Sequence, residues 1–187
     1  MDFKKIWERI KAIIANPTKE WEKITTEPSD QNELIVNYLV PIVILGAITT
    51  FIGKASQGDI SVYQGFMLAI TYFISMIAGI YISAVVVSEL APGFNVEKDF
   101  GGTLKLIVYS ATAALVGSVV ANLHPGLSFI GLFGLYSLYL FWVGLPKIMD
   151  VAEDKKVGFV LISALIILAI TFVINFILQS IFVASAI

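Results

Sequence analysis

Five long apolar segments constrain this chain more than any other feature of its sequence. They cover residues 34–52, 66–88, 104–121, 127–145 and 157–184. At about 1.5 Å per helical residue, each segment is long enough to cross about 30 Å of hydrocarbon. The sequence therefore predicts an all-α, polytopic membrane protein built as a bundle of five transmembrane helices. The fifth segment is longer than a span needs, so we expect it to tilt, kink or protrude.

The composition supports a membrane class and narrows the chemistry. The chain is 58% hydrophobic and 14% charged, whereas soluble domains carry about 25% charged residues. Cysteine is absent and there is one histidine, which removes disulfides, thiolate metal sites and multi-histidine metal clusters. We therefore expect no metal, no cofactor, no nucleic-acid partner and no enzymatic activity.

Residues 1–33 precede the first span and predict a separate cytosolic segment of short helices. Phe3, Ile6, Trp7 and Ile10 recur at helical spacing among charged residues, which indicates an amphipathic helix. Such a helix either lies in the cytoplasmic lipid interface or docks onto a protein partner.

The sequence Asn16-Pro17 ends this first helix and starts a second. We expect the second helix to lie on the surface and to present Trp21 and Ile24. Residues 1–33 are too few to bury a core of their own, so we divide the chain into this appendage and a membrane domain at 34–187.

Basic residues predict the orientation of the bundle. Eleven of the 12 would lie on one side of the membrane if the five segments cross it in turn, and Lys54 would lie on the other. The eleven are Lys4, Lys5, Arg9, Lys11, Lys19, Lys23, Lys98, Lys105, Lys147, Lys155 and Lys156. Because basic residues collect on the cytoplasmic side, the N-terminus is predicted to be cytoplasmic and the C-terminus external.

The third span carries small residues at helical spacing. One ladder contains Ser110, Ala114, Ser118 and Asn122, and the other contains Ala113, Gly117 and Ala121. Small faces allow close helix packing in lipid, so we expect this span at the centre of the bundle. The ladders serve either packing within the chain or self-association.

The short third connection predicts that spans three and four form an antiparallel hairpin. Pro125-Gly126 fits the centre of a type II turn. This arrangement would place Gly117 at the depth of Gly131 and Gly134. We therefore expect the small faces of the two spans to touch.

Polar uncharged residues form stripes on two further spans. Span two carries Thr71, Ser75, Gly79 and Ser83, and span five carries Thr171, Asn175 and Gln179. Such stripes usually face neighbouring helices. The alternative is a polar cavity, open to the outside, that Asn175, Gln179 and the span-three ladder line together.

No charged residue lies deep in a predicted span. Glu89 ends span two and Lys105 opens span three; we expect these two to form a boundary ion pair. His124 lies in the outer turn without a catalytic motif around it. These positions favour a non-enzymatic protein.

Several short motifs resemble the Yip domain family, particularly its prokaryotic members. They are Asn16-Pro17 with Trp21, the stretch from Asn37 to Pro41, the pair Tyr109-Ser110, and Tyr136-Ser137 leading to Pro146. The resemblance implies five spans with a cytosolic N-terminus, and in eukaryotic members association with small GTPases. Asn37 stands where the eukaryotic motif has aspartate.

The resemblance and the residue patterns together predict a Yip-like scaffold in the cytoplasmic membrane. Its partners would be the lipid bilayer, another membrane protein or a second copy of itself. The alternative is a small transporter, channel or lipid-moving protein that uses a cavity beside spans three and five.

Overall fold

A computed structural model describes residues 2–28, 30–58 and 60–182. Seven helical elements, α1 to α7, follow one another in this part of the chain. Their bounds are α1 Phe3–Ala15, α2 Pro17–Thr26, α3 Gln31–Ala55, α4 Val62–Phe94, α5 Phe100–Ala121, α6 Pro125–Ile148 and α7 Glu153–Phe182. The last five are long and apolar enough to cross a membrane, which confirms the five predicted spans. Residues 183–184 of the predicted fifth span lie outside the described residues.

Helices α1 and α2 form a hairpin whose ends are set by local capping. Asp2 accepts hydrogen bonds from the amides of Lys4 and Lys5, and Asn16 accepts one from Lys19. Pro17 stands in the first turn of α2, where its missing N–H costs nothing. The predicted break at Asn16-Pro17 is confirmed.

The hairpin is part of the main hydrophobic core. Ile13, Trp21 and Ile24 are fully buried, in one cluster with Leu104 of α5 and other core residues of the spans. Tyr136, near the midpoint of α6, donates a hydrogen bond to the carbonyl of Ile14 (3.0 Å). The expected surface position of Trp21 and Ile24 is therefore wrong, because both side chains are buried in the core that the hairpin shares with the spans.

Helix α5 lies at the centre of the bundle, as its small-residue ladders predict. In its most apolar stretch 61% of residues are buried, against 39% or less in the other four spans. It contacts α3, α4 and α6, while α7 packs mainly on α4. We call the end of the bundle that carries α1 and α2 the hairpin end, and the opposite end, near His124, the far end.

Helix α6 departs from regular α geometry in its first half. Residues Pro125–Leu135 form a 3₁₀ helix, in which the amide of Leu127 donates to the carbonyl of His124 (2.8 Å). Gly58 is the only described glycine with positive φ, so Gly126 lacks the backbone that a type II turn requires. The predicted type II turn is wrong, because Pro125 begins a helix directly.

The predicted contact between the small faces of α5 and α6 is confirmed. A Cβ atom added to Gly117 would lie 3.2 Å from the carbonyl oxygen of Ile130, and one added to Gly134 would lie 3.4 Å from the Cβ of Ala114. The backbones approach this closely because neither glycine carries a side chain.

Candidate functional site

A cleft of about 760 Å³ opens at the hairpin end between α1, α2 and the starts of α3 and α5. Its lining is rich in charged side chains of both signs. The acidic ones are Asp2, Glu8, Glu20, Glu27, Asp30 and Glu33, and the basic ones are Lys5, Arg9, Lys23 and Lys105. Asn37 of the family motif also lines this cleft and is exposed.

Arg9 joins the two helices of the hairpin. Its guanidinium donates to the carboxylates of Glu20 and Glu27 and lies over the ring of Tyr109, 5.5 Å from the centroid. Burial lowers the pKa of Arg9, but the hydrogen bond to Glu27 and the surrounding charges outweigh it and leave the pKa raised. Arg9 therefore stays charged and holds α1, α2 and α5 together.

Lys105 fastens the end of α2 to the central helix. The Lys105 side chain is buried, and its ammonium donates to the carbonyl of Glu27 (2.8 Å) and to that of Ile24 (3.4 Å). A cation at this position interacts favourably with the negative, C-terminal end of the α2 dipole. The predicted ion pair between Glu89 and Lys105 is wrong, because Lys105 turns towards α2 and Glu89 pairs with Lys98.

Aromatic residues continue this connection towards the middle of the bundle. The indole N–H of Trp21 donates to the carbonyl of Leu140 in α6 (3.1 Å), and the Trp21 ring packs edge-on against Tyr109. Tyr38 of α3 packs at a tilt against Tyr109, with ring centroids 4.8 Å apart and an interplanar angle of 57°. Arg9 of α1, Trp21 of α2 and Tyr38 of α3 thus all lie against the Tyr109 ring.

The remaining motif positions act on the backbone or on the core. Pro17 begins α2. Pro41 follows a π-helical turn at Ile35–Leu39 within α3, since proline cannot donate the hydrogen bond that a regular α turn needs. Ser110 is buried on α5.

A second cavity, of about 390 Å³, lies halfway along the bundle between α4, α5, α6 and α7. Ser75 and Ser83 of α4 and Ser110 of α5 line it, and all three are at least 96% buried. None of the three hydroxyls has a hydrogen-bond partner. The lining is mostly apolar, and its polar residues are Ser75, Ser83, Ser110, Ser137 and Thr171.

The structure divides the predicted cavity residues into two groups. Ser110 and Ala114 line the mid-bundle cavity, together with Thr171 of α7. Ser118 instead bonds the hydroxyl of Tyr72 (2.6 Å), and Asn122 donates to Thr50 (2.9 Å).

Asn175 and Gln179 do not line the mid-bundle cavity. The amide of Asn175 donates to the carbonyl of Thr171 (2.8 Å) on its own helix, and Gln179 is exposed. Gly117 packs against Ile130, and Ser118 and Asn122 bond neighbouring helices. The part of the span-three ladders from Gly117 to Asn122 therefore serves helix packing.

Sequence reasoning missed the roles of Arg9, Tyr72 and Ser83. Ser83 was placed in a polar stripe, and only its missing partner distinguishes it from an ordinary packing serine. The sequence places Arg9 on an amphipathic helix, but it does not reveal its partners Glu20, in α2, and Glu27, directly after α2.

The described residues offer little for catalysis. Among them there is no cluster of histidine and acidic residues that could hold a metal ion. His124 accepts a hydrogen bond from the amide of Gly126 (3.0 Å) and caps the start of α6. Its role is structural.

These features define an all-helical membrane protein of five spans with an N-terminal hairpin packed into one end. The Yip1 domain matches residues 11–175, and the chain belongs to the Yip1 domain family. Inner membrane protein YohC of Escherichia coli K12 is 21% identical over 160 residues, which cover 79% of this chain and 82% of that protein. The protein of the same name in E. coli O6:H1 gives the same values. No solved structure matches the chain.

Proposed function

We propose that this Yip-family protein is a non-enzymatic scaffold of the cytoplasmic membrane, and that the cleft at the hairpin end is its contact surface for a membrane partner. The name of the relative YohC, an inner membrane protein, supports the location. Eleven of 12 basic residues belong to the hairpin end, which favours a cytoplasmic position for this end. The C-terminus is then external.

The observation that carries the proposal is the attachment of the cleft to the bundle. Arg9, Trp21 and Lys105 tie the hairpin to α5 and α6 through side-chain contacts. A partner that binds the hairpin therefore also acts on the central span. A flexible appendage would not provide this coupling.

The charge of the cleft indicates what kind of partner fits. Six acidic side chains face four basic ones. Arg9 pairs with Glu20 and Glu27 and Lys105 bonds backbone carbonyls, which leaves four acidic side chains against Lys5 and Lys23. Membrane proteins carry an excess of Lys and Arg beside their spans on the cytoplasmic side. We expect the partner to present such a basic juxtamembrane segment.

Photocrosslinking in native membranes tests the scaffold function. A photoreactive residue at position 37, inside the cleft, should give a defined protein adduct. Replacing Glu8 and Glu33 with Lys should lower its yield about tenfold, because two lost attractions of about 0.7 kcal/mol each make a factor of ten. Glu97→Lys is the matched control, since Glu97 is exposed at the same end but outside the cleft.

Two results would contradict the scaffold function. One is an adduct whose yield falls equally with Glu97→Lys, because general surface charge would then explain the binding. The other is a crosslink to lipid alone. Deleting residues 1–15 is a poor test, since it removes Ile6, Ile10 and Ile13 from the core.

A lipid-moving protein is the second candidate function, and the mid-bundle cavity favours it. The mostly apolar lining of the cavity includes three serines whose hydroxyls have no partner, which suits a molecule with a polar and an apolar part. Transfer of a fluorescent lipid between the leaflets of protein-containing vesicles measures this function. Transfer no faster than in protein-free vesicles would contradict it.

A further inference from the structure

Six buried hydroxyls among the described residues lack a hydrogen-bond partner, and three of them, Ser75, Ser83 and Ser110, line the mid-bundle cavity. Thr171 and Ser180 on α7 donate to the carbonyls of Ile167 and Phe176, four residues earlier. This local bond is the usual solution for a hydroxyl in a membrane helix. Ser75, Ser83 and Ser110 do not make it, so each of these three residues beside the cavity keeps hydrogen-bonding capacity that the chain does not use.

The position of the cavity indicates where such a molecule comes from. The lining residues fall in the middle of each of the four helices, at positions 75–83, 107–114, 131–141 and 164–171. On the α6 and α7 sides, Leu132, Leu135 and Leu168 are each about two-thirds exposed. An opening edged by exposed leucines at mid-span faces the bilayer, so the molecule enters sideways from the lipid.

The lining also determines the charge of the molecule. No ionisable side chain is present among the described residues around the cavity. A charged headgroup would have no counter-ion there and would lose its hydration. A serine hydroxyl both donates and accepts a hydrogen bond, so it suits an uncharged hydroxyl or carbonyl group.

The size of the cavity fits part of a lipid. Its volume of about 390 Å³ is within the range of roughly 300–1,000 Å³ that small-molecule sites occupy. A single ordered water takes about 30 Å³, so one or two waters would leave most of the space empty. An apolar chain with one polar group would fill the cavity, with its chain against the apolar walls and its polar group near the serines.

We infer that this cavity binds a neutral lipid, entering between α6 and α7, whose hydroxyl or carbonyl group bonds Ser75, Ser83 and Ser110. The inference deepens the lipid-moving function proposed above by naming the class of lipid. Glycerolipids without a phosphate and prenyl alcohols share this chemistry.

Photoaffinity labelling of the purified full chain in phosphatidylcholine vesicles tests the site. The probes are a photoactivatable diacylglycerol and a photoactivatable prenyl alcohol, each compared with its phosphorylated form. We expect the uncharged probes to label cavity-lining peptides of α4 to α7 and their phosphorylated forms to label them about tenfold less. The probe that labels better identifies the source of the lipid.

Matched serine variants separate the site from general effects. Ser75→Ala, Ser83→Ala and Ser110→Ala together should reduce labelling about tenfold, as expected for the loss of one to two hydrogen bonds. Ser88→Ala with Ser163→Ala is the control, because these two serines are also buried without a partner but lie outside the cavity. Equal labelling of the two variants, or of the charged and uncharged probes, would overturn the inference.

The lipid-transfer assay distinguishes failure of the site from failure of the proposed function. Labelling that depends on the cavity serines, without faster lipid transfer, keeps the binding site and rejects lipid movement. Transfer that persists in the triple alanine variant keeps lipid movement and rejects this site for it. A thermal-unfolding scan in detergent confirms that both variants fold.

Discussion

The cleft at the hairpin end and the mid-bundle cavity differ in whether their buried polar groups have hydrogen-bond partners. At the hairpin end, Arg9 and Lys105 are largely or fully buried, and each has partners in a neighbouring element. In the mid-bundle cavity, Ser83 and Ser110 are equally buried and have none. An unpaired buried charge costs several kcal/mol, whereas an unpaired hydroxyl costs about 1–3 kcal/mol. Arg9 and Lys105 thus connect helices at the hairpin end, whereas Ser83 and Ser110 keep unpaired hydroxyls beside the cavity.

The largest effect is expected at the hairpin end from Trp21→Ala. The indole is fully buried and bonds Leu140, so its loss should lower the free energy of unfolding by about 3–5 kcal/mol. Thermal unfolding in detergent measures the change. Trp7→Ala is the control, since Trp7 is 57% exposed and should change stability by less than about 0.5 kcal/mol. Equal losses would place the hairpin outside the core.

Lys105→Met tests whether the hydrogen bonds from the Lys105 ammonium to the end of α2 stabilise the fold. Two carbonyls lose a charged donor, which should cost about 1.5–3 kcal/mol. Hydrogen exchange of the α2 amides should accelerate. The exposed pair of Lys98 with Glu89 provides the control, because Lys98→Met should cost less than about 1 kcal/mol. Unchanged hydrogen exchange of the α2 amides in Lys105→Met would show that Lys105 does not stabilise the end of α2.

Gly117→Leu tests the tightly packed region beside the cavity. The Cβ alone would lie 3.2 Å from the carbonyl oxygen of Ile130, so overpacking should destabilise the bundle by about 1–3 kcal/mol. Val119→Leu on the same helix should change stability by less than about 0.5 kcal/mol. A detergent thermal-stability assay compares the two variants. Equal tolerance would contradict close contact between α5 and α6.

The smallest effect is expected in the cavity, and it tests the comparison most directly. Ser83→Ala should leave the free energy of unfolding unchanged or raise it by up to about 1 kcal/mol, since an unpaired polar group is removed. Ser118→Ala should lower it by about 0.5–1.5 kcal/mol, because Ser118 bonds Tyr72. Chemical or thermal unfolding of both variants without added lipid gives the result. A larger loss at Ser83 would mean that its hydroxyl has a partner.

Much of this architecture follows from patterns that the sequence displays locally. Span length, the break at Asn16-Pro17 and the small ladders around Gly117 each depend on near neighbours in the chain, and the structure confirms them. Periodicity identifies the face of a helix that is small or polar. It does not identify the helix that lies opposite that face.

The wrong predictions share this physical cause. Lys105 stands at a boundary where its long side chain can turn towards α4 or α2, and only the docked hairpin decides between them. The alternative of a cavity lined by Asn175 depended on its polarity alone, and its side-chain amide donates to the carbonyl of Thr171 on its own helix. Trp21 was expected to be exposed because its segment is short and charged. In the structure, Leu140 and Gly144 of α6 contact its ring.

The bond from Trp21 to Leu140 has a consequence for the order in which the protein is made. The two residues are 119 positions apart, and ribosomes add about 5–20 residues per second, so roughly 6–24 s separate their synthesis. The hairpin is therefore made before its partner in the fourth span and must wait until that span exists. During that interval the apolar face of α1, with Ile6 and Ile10 still uncovered, favours residence at the membrane surface. Docking of the hairpin is then a late step of biosynthesis that follows synthesis of the fourth span.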